Sequence, residues 1–113
     1  MIAGLSQGGM GLPTRDYYVD STEQMREVRE RYQTHLVKIL KLGGESARQA
    51  ERGAAAVLHL ETRLAEAALS QVELRDPNKQ YNKAKDLTPF TPSLDWTRYF
   101  QALGIPKPID YNI

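Results

Sequence analysis

The chain has 113 residues, of which 41% are hydrophobic, which suits one domain with a modest core. Its 15 Lys and Arg residues nearly balance 14 Asp and Glu residues and are interspersed with them, so no basic stripe indicates a nucleic-acid partner. Because cysteine is absent, disulfides, thiolate zinc sites and thiol nucleophiles are excluded. No apolar run approaches the roughly 20 residues that span a bilayer, and no signal-peptide pattern opens the chain.

Residues 1–20 are predicted to form a loop. Glycine and proline are frequent in the first 14 residues, and both oppose the interiors of helices and strands. Asp20, at the end of this segment, is expected to cap the helix that follows.

Apolar residues then recur at steps of three and four, which predicts a first helix over residues 22–42. Ser21 with Gln24 resembles a capping box at its start. The pair Gly43-Gly44 is expected to end it, because glycine adopts the left-handed conformation that caps a helix C-terminus.

A second helix is predicted over residues 46–74, with Ser46 and Gln49 as its capping box. Its many alanines favour helix and let a neighbouring backbone come close. The short glycine corner between the two helices makes them antiparallel, so the sequence predicts an αα-hairpin.

The predicted length of this second helix indicates that the chain does not stand alone. About 29 residues would give a helix of roughly 43 Å, whereas a compact domain of this size has a radius of gyration of about 13 Å. We therefore expect a fragment of a larger fold or an oligomer, with a frayed or kinked helix as the alternative.

Residues 75–92 are predicted to form a loop, because Asp76-Pro77 breaks the helical pattern. A last short helix over 94–103 follows, capped by Ser93 and stopped by Gly104, and the tail 104–113 is predicted to be extended. The fold class is thus all-α: a long antiparallel helical hairpin with a short C-terminal helix and extended loops, in a single helical fragment 1–113 that forms part of a larger helical lobe.

Residues that could perform chemistry are sparse. His35 and His59 are the only histidines, they cannot pair at i, i+4, and no H-E-x-x-H or G-x-S-x-G motif is present. Glu61 is the one carboxylate on the apolar stripe of the second helix, and a buried carboxylate needs a partner. Arg15 or Arg75 could supply it, and a solvent-edge position for Glu61 is the alternative.

Five segments carry a resemblance to a known family. They are GLPTRDYYVD (11–20), LGG (42–44), VLHLETRLAEA (57–67), LRDPNKQYNK (74–83) and LDWTRYFQALGI (94–105). In this order they resemble the N-terminal, non-catalytic helical region of the neprilysin family of zinc metallopeptidases. The combination of GLP-x-RDYY, RDP-x-x-x-YN and DW is the specific part.

In that family the zinc-binding H-E-x-x-H helix lies in a separate catalytic lobe, so the resemblance assigns no catalytic residue and no metal ligand to this chain. It implies a structural role for two motifs, and residues 9–18 are expected to form a strap that locks the helices together, with substrate contact as the alternative. The motif residues are Gly11, Leu12, Pro13, Arg15, Asp16, Tyr17 and Tyr18 in the first, and Arg75, Asp76, Pro77, Tyr81 and Asn82 in the second.

The resemblance implies a fragment of a zinc metalloendopeptidase that hydrolyses peptides, with this segment in the helical lobe that covers the active-site cleft. Zinc is then expected in the parent enzyme and no cofactor in the fragment, which is expected to be inactive alone. The lack of cysteine favours a bacterial member, and family members mostly act outside the cytoplasm, as periplasmic, secreted or membrane-anchored enzymes.

The partners implied are the catalytic lobe of the same polypeptide and, for the parent, peptide substrates, with homo-oligomerisation through exposed apolar helix faces compatible with this. The alternative from a different class is a freestanding helical protein-interaction module without enzymatic activity.

Overall fold

The computed structural model describes residues 2–80, 82–106 and 110–113. It is mainly helical, which confirms the all-α fold class, and it adds a small three-stranded sheet. In chain order the elements are β1 (Ile2–Gly4), α1 (Asp16–Val19), α2 (Glu23–Leu42), α3 (Ala47–Ala67), a 3₁₀ turn (Glu73–Arg75), α4 (Pro77–Gln80), β2 (Lys83–Ala84), α5 (Trp96–Ala102) and β3 (Asp110–Asn112).

The predicted single fragment divides into two compact units, Gln7–Val72 and Met1–Ser6 with Glu73–Ile113. None of the helices in the described ranges is both long and apolar enough to cross a membrane.

The first unit contains the helical hairpin of α2 and α3. Glycine ends α2 as predicted, since Gly44 has a left-handed φ of +102°. The amide of Gly44 donates to the carbonyl of Lys41, and the amide of Glu45 donates to the carbonyl of Leu40. These two bonds form a Schellman motif, which satisfies the last carbonyls of α2.

The start of α2 differs from the prediction. Its N-cap is Thr22, whose side chain makes no capping bond, so the predicted Ser21–Gln24 capping box is wrong. The carboxylate of Asp20 instead accepts a hydrogen bond from the amide of Thr22, at 2.7 Å. Asp20 lies two residues before this N-cap, so it orders the turn that leads into α2 and is not the predicted helix cap.

Helix α3 begins as predicted, with the reciprocal capping box of Ser46 and Gln49, but it ends at Ala67 instead of residue 74. Beyond it, the amide of Leu69 bonds to Gln7 Oε1 at 2.8 Å, and Gln7 Nε2 donates to the carbonyl of Leu69 at 3.1 Å. The side-chain amide of Gln7 thus forms hydrogen bonds with the backbone amide and carbonyl of Leu69, which in a longer helix would bond within the helix. At 21 residues the helix is roughly 32 Å long, so the predicted length of roughly 43 Å is wrong.

Small residues allow the two long helices to approach closely. Ala50 and Ala54 are fully buried, and a Cβ placed on Gly53 would lie 2.9 Å from Leu40 Cδ1. In contrast, α2 contains no buried residue, and its apolar side chains Ile39 and Leu42 are 50% and 86% exposed. The close contact between α2 and α3 therefore depends on the small residues of α3 and not on large buried side chains of α2.

We expect Ala54→Leu to lower the free energy of unfolding by about 1–3 kcal/mol, because the larger side chain overpacks a site with no free space. Ala55→Leu, at the exposed neighbouring position on the same helix, is the matched control. Urea denaturation followed by circular dichroism measures both, and equal stability of the two variants would contradict the packing described.

The second unit is built on a sheet in the order β1-β3-β2, in which β3 lies parallel to β1 and antiparallel to β2. Its core consists of Leu87, Phe100 and Tyr111, with Trp96 packed against it. The predicted loops 1–20 and 75–92 and the predicted extended tail therefore contribute strands and short helices. These strands form by pairing between residues that are far apart in sequence, so a local sequence pattern does not predict them. Residues 107–109 of the tail lie outside the described residues.

The last helix is shorter than the predicted range 94–103 and begins after a different cap. Asp95, not Ser93, is the N-cap of α5, and its carboxylate accepts a bond from the amide of Arg98. Gly104, with a φ of +67°, ends the helix as predicted.

Candidate functional site

A buried carboxylate connects the three helices of the first unit. Glu61, on α3, is only 8% exposed. The Tyr18 hydroxyl of α1 donates to Glu61 Oε2 at 2.7 Å, and the Tyr32 hydroxyl of α2 donates to Oε1 at 3.2 Å. Each carboxylate oxygen therefore has a hydroxyl donor, which offsets the cost of removing the group from water.

The loop that precedes α1 is attached to the same group. The amide of Leu12 donates to the Tyr18 hydroxyl at 2.8 Å, so this hydroxyl accepts from the loop and donates to Glu61. A Cβ placed on Gly11 would lie 2.1 Å from the Tyr32 hydroxyl and 3.3 Å from Glu61 Oε1. Any side chain at position 11 would push the Tyr32 hydroxyl away from its place beside Glu61, so the motif glycine is explained by the space that this hydroxyl occupies.

Glu61 is buried and has partners, as expected for a carboxylate on the apolar stripe, but the predicted partners are wrong and so is the solvent-edge alternative. The residue is buried, so it is not at a solvent edge, and its observed donors are tyrosines instead of Arg15 or Arg75. Arg15 lies at the start of α1, where its Nε is buried without a hydrogen-bond partner among the described residues.

A different arginine, Arg29 of α2, stabilises the end of α1. Its Nη1 donates to the carbonyls of Tyr17 and Asp20, both at 2.9 Å. Charged donors suit the free carbonyls at a helix C-terminus. Arg29 thus fixes α1 against α2, next to the tyrosine that reaches Glu61.

The tyrosines at Glu61 resist ionisation. Burial, which outweighs the opposing effect of the Leu12 amide, raises the pKa of Tyr18 to about 12, and the bond to Glu61 acts in the same direction. Burial and the same carboxylate also raise the pKa of Tyr32. Both groups therefore remain hydroxyl donors over the physiological pH range.

The second motif shapes a turn in the other unit. Arg75 ends the 3₁₀ turn, and Pro77 is the first residue of α4, where a missing amide proton costs nothing. The Asp76 carboxylate accepts from the amide of Asn78 at 2.9 Å.

Asn82 Nδ2 donates to the carbonyl of Lys79, and the carbonyl of Asn82 accepts from the amide of Ile113, each at 2.9 Å. Tyr81 lies outside the described residues.

Glu61, Tyr18 and Tyr32 form what we call the Glu61 cluster, and the remaining residues of the first motif are not part of it. Pro13 is in the loop before α1, Asp16 is the exposed first residue of that helix, and Tyr17 offers its backbone carbonyl to Arg29. The two motifs belong to different units.

The described residues do not fit a zinc ion. They contain no group of three or more His, Asp and Glu side chains close enough to bind a metal. His35 and His59 are exposed on α2 and α3 respectively. A catalytic metal needs about three protein ligands on an open site, so no chemical step through zinc can be derived from these residues.

Sequence reasoning missed three residues that organise this region: Tyr32, Arg29 and Gln7. Tyr32 lies on the apolar stripe of the first predicted helix, where the sequence indicates only a packing role, although a tyrosine that faces a lone carboxylate is a signal for a hydrogen bond. The contacts of Arg29 and Gln7 are with backbone groups, which carry no side-chain signal.

A comparison with known families accounts for the motifs. The family model for the N-terminal part of peptidase family M13 matches residues 1–113, the whole chain. The chain belongs to peptidase family M13. The resemblance to neprilysin-type zinc metallopeptidases is thereby confirmed.

Relatives with known names agree with this membership. Endothelin-converting enzyme 1 of Cavia porcellus is 32% identical over 110 residues, which cover 94% of this chain and 14% of that protein. Neprilysin-3 of Drosophila melanogaster is 30% identical over 98 residues, which cover 85% of this chain and 12% of that protein. The chain thus spans about one seventh of the length of these relatives.

Solved structures show the same fold. Two structures of the zinc metalloprotease Zmp1 of Mycobacterium tuberculosis, one in an open state and one with an inhibitor, match with a TM-score of 0.79 and 33% identity. The match covers 89% of this chain and 16% of Zmp1. The described fold is therefore that of a segment of an M13 peptidase.

We expect Tyr18→Phe to lower the free energy of unfolding by about 1–3 kcal/mol, because Glu61 Oε2 and the Leu12 amide each lose a partner. Tyr17→Phe is the control, since among the described residues its hydroxyl makes no hydrogen bond. Chemical denaturation measures the difference, and equal effects of the two substitutions would show that the Tyr18 hydroxyl contributes nothing.

The raised pKa of Tyr18 also makes stability depend on alkaline pH. Its stabilising contribution is complete below the unfolded-state pKa of about 10, and it is lost as the pH rises through the folded-state value of about 12. The free energy of unfolding should therefore fall over this window more steeply in the wild type than in Tyr18→Phe. Parallel urea titrations across the window measure this, and identical slopes would contradict it.

Proposed function

We propose that this chain is part of the non-catalytic helical lobe of a zinc metalloendopeptidase, where it helps to cover the cleft in which peptides are hydrolysed. The observation that carries the proposal is the match of the family model to all 113 residues. The similarity to Zmp1, which is a zinc metalloprotease, supports the same parent activity.

The local chemistry agrees with a scaffolding role for this segment. The carboxylate of Glu61 is only 8% exposed and accepts a tyrosine hydroxyl at each oxygen, which suits a structural role, whereas a general base must reach water or substrate. Zinc and the groups that activate water would come from other parts of the polypeptide. On its own, the chain would then be inactive.

The partners follow from the same proposal. The catalytic lobe of the same polypeptide would cover apolar side chains that are exposed here, among them Leu60 on α3 and Leu103 after α5, which are 57% and 54% exposed. The parent would act on peptides outside the cytoplasm, as the family resemblance implies. A bacterial origin and homo-oligomerisation stay predictions.

The first experiment tests the parent activity. We expect the full-length protein to cleave fluorogenic peptides and to lose this activity with a zinc chelator, whereas residues 1–113 alone cleave nothing with or without added zinc. Activity of the isolated chain would contradict the inert-lobe proposal. A stop codon directly after Ile113 in the native gene would favour the alternative, a freestanding interaction module without enzymatic activity.

The second experiment tests whether the lobe limits access to the cleft. In the full-length protein, Glu61→Gln should loosen the Glu61 cluster and raise kcat/KM for long peptides relative to short ones. Glu66→Gln, at an exposed position on the same helix, is the matched control. An unchanged ratio of the two kcat/KM values, together with lower thermal stability, would show that the cluster stabilises the fold without shaping access.

A further inference from the structure

The segment Gln7–Leu12 is attached to the rest of its unit at its two ends. At one end, the side-chain amide of Gln7 forms two hydrogen bonds with the backbone of Leu69, at 3.1 and 2.8 Å. At the other end, the amide of Leu12 bonds to the Tyr18 hydroxyl, which in turn bonds to Glu61. Within the described residues, no backbone–backbone hydrogen bond holds positions 7–12 between these ends.

The segment lies over part of α3. A Cβ placed on Gly9 would be 3.2 Å from Leu64 Cδ1, and one placed on Gly11 would be 3.3 Å from Glu61 Oε1. Leu64 and Glu61 are neighbours on that helix, one turn apart in register. The segment therefore covers the carboxylate of Glu61 and lies against Leu64, which is on the same face and is 38% exposed.

The two attachments depend on each other for a physical reason. The four residues between them include three glycines, which lose the most conformational freedom when they are ordered. The bonds of Gln7 are exposed to water, and exposed hydrogen bonds return only a small net stabilisation. If either end is released, the other end alone does not offset the entropy of holding the four residues in place.

We propose that Gln7–Leu12 opens as one unit and uncovers Glu61 and the contacted part of Leu64, while the hairpin of α2 and α3 stays folded. The hairpin has its own contact at Ala50 and Ala54 and its own corner at Gly44, neither of which involves this segment. This device belongs to the first unit alone and does not depend on the activity of the parent enzyme.

Native-state hydrogen exchange of the full-length protein, resolved to single amides by mass spectrometry with electron-transfer fragmentation, tests the proposal. The readouts are the amides of Leu12 and Leu69, which lie at opposite ends of the segment. In the wild type both should exchange with the same opening free energy, and both should exchange faster than the amides of Ala50 and Ala54 in α3.

The decisive measurement is the effect of each substitution at the opposite end. Gln7→Ala should speed exchange of the Leu12 amide about fivefold, and Tyr18→Phe should speed exchange of the Leu69 amide by a similar factor. Gln71→Ala, which removes an exposed glutamine near Leu69, should leave Leu12 unchanged.

Two results would overturn the proposal. If each substitution accelerates only the amide at its own end, the attachments are independent and the segment does not open as a unit. If the amides of α3 accelerate equally, the segment is released only when the hairpin unfolds.

Discussion

The carboxylate of Glu61 is the group on which the arrangement of the first unit depends. It is buried on α3, and a buried charge is tolerated only with well-placed donors. The donors come from α1 and α2, so the requirement to satisfy one carboxylate fixes the positions of three helices. The loop before α1 is fixed by the same bonds, through the Leu12 amide. This explains why a segment rich in glycine can have a defined path.

Local features of the fold were readable from the sequence. The Ser46 capping box, the glycine corner and the stop at Gly104 all depend on residues within one or two turns, so short patterns report them. The end of α3 was not readable, because it is set by Gln7, which lies 62 residues away from Leu69. The strands were missed for the same reason, since β1 pairs with β3 at the opposite end of the chain.

The candidate site shows a similar division. The sequence singled out Glu61 and the GLP-x-RDYY motif, and it required a partner for the buried carboxylate. It could not tell which donor would reach it, because arginine and tyrosine both satisfy a carboxylate and both occur nearby. Only the three-dimensional arrangement shows that Tyr18 and Tyr32 converge on Glu61, while Arg29 bonds to backbone carbonyls instead.

Two glycines in this chain serve opposite purposes. Gly104 has a φ of +67° and nothing near its missing side chain, so its role is conformational, and asparagine, which tolerates left-handed backbone, is a natural replacement. Gly11 is not in a left-handed conformation, yet even one methyl group would displace the Tyr32 hydroxyl from the carboxylate. A residue with a side chain at position 11 would therefore remove one of the two donors of Glu61, so the choice of glycine at position 11 and the tyrosine at position 32 depend on each other.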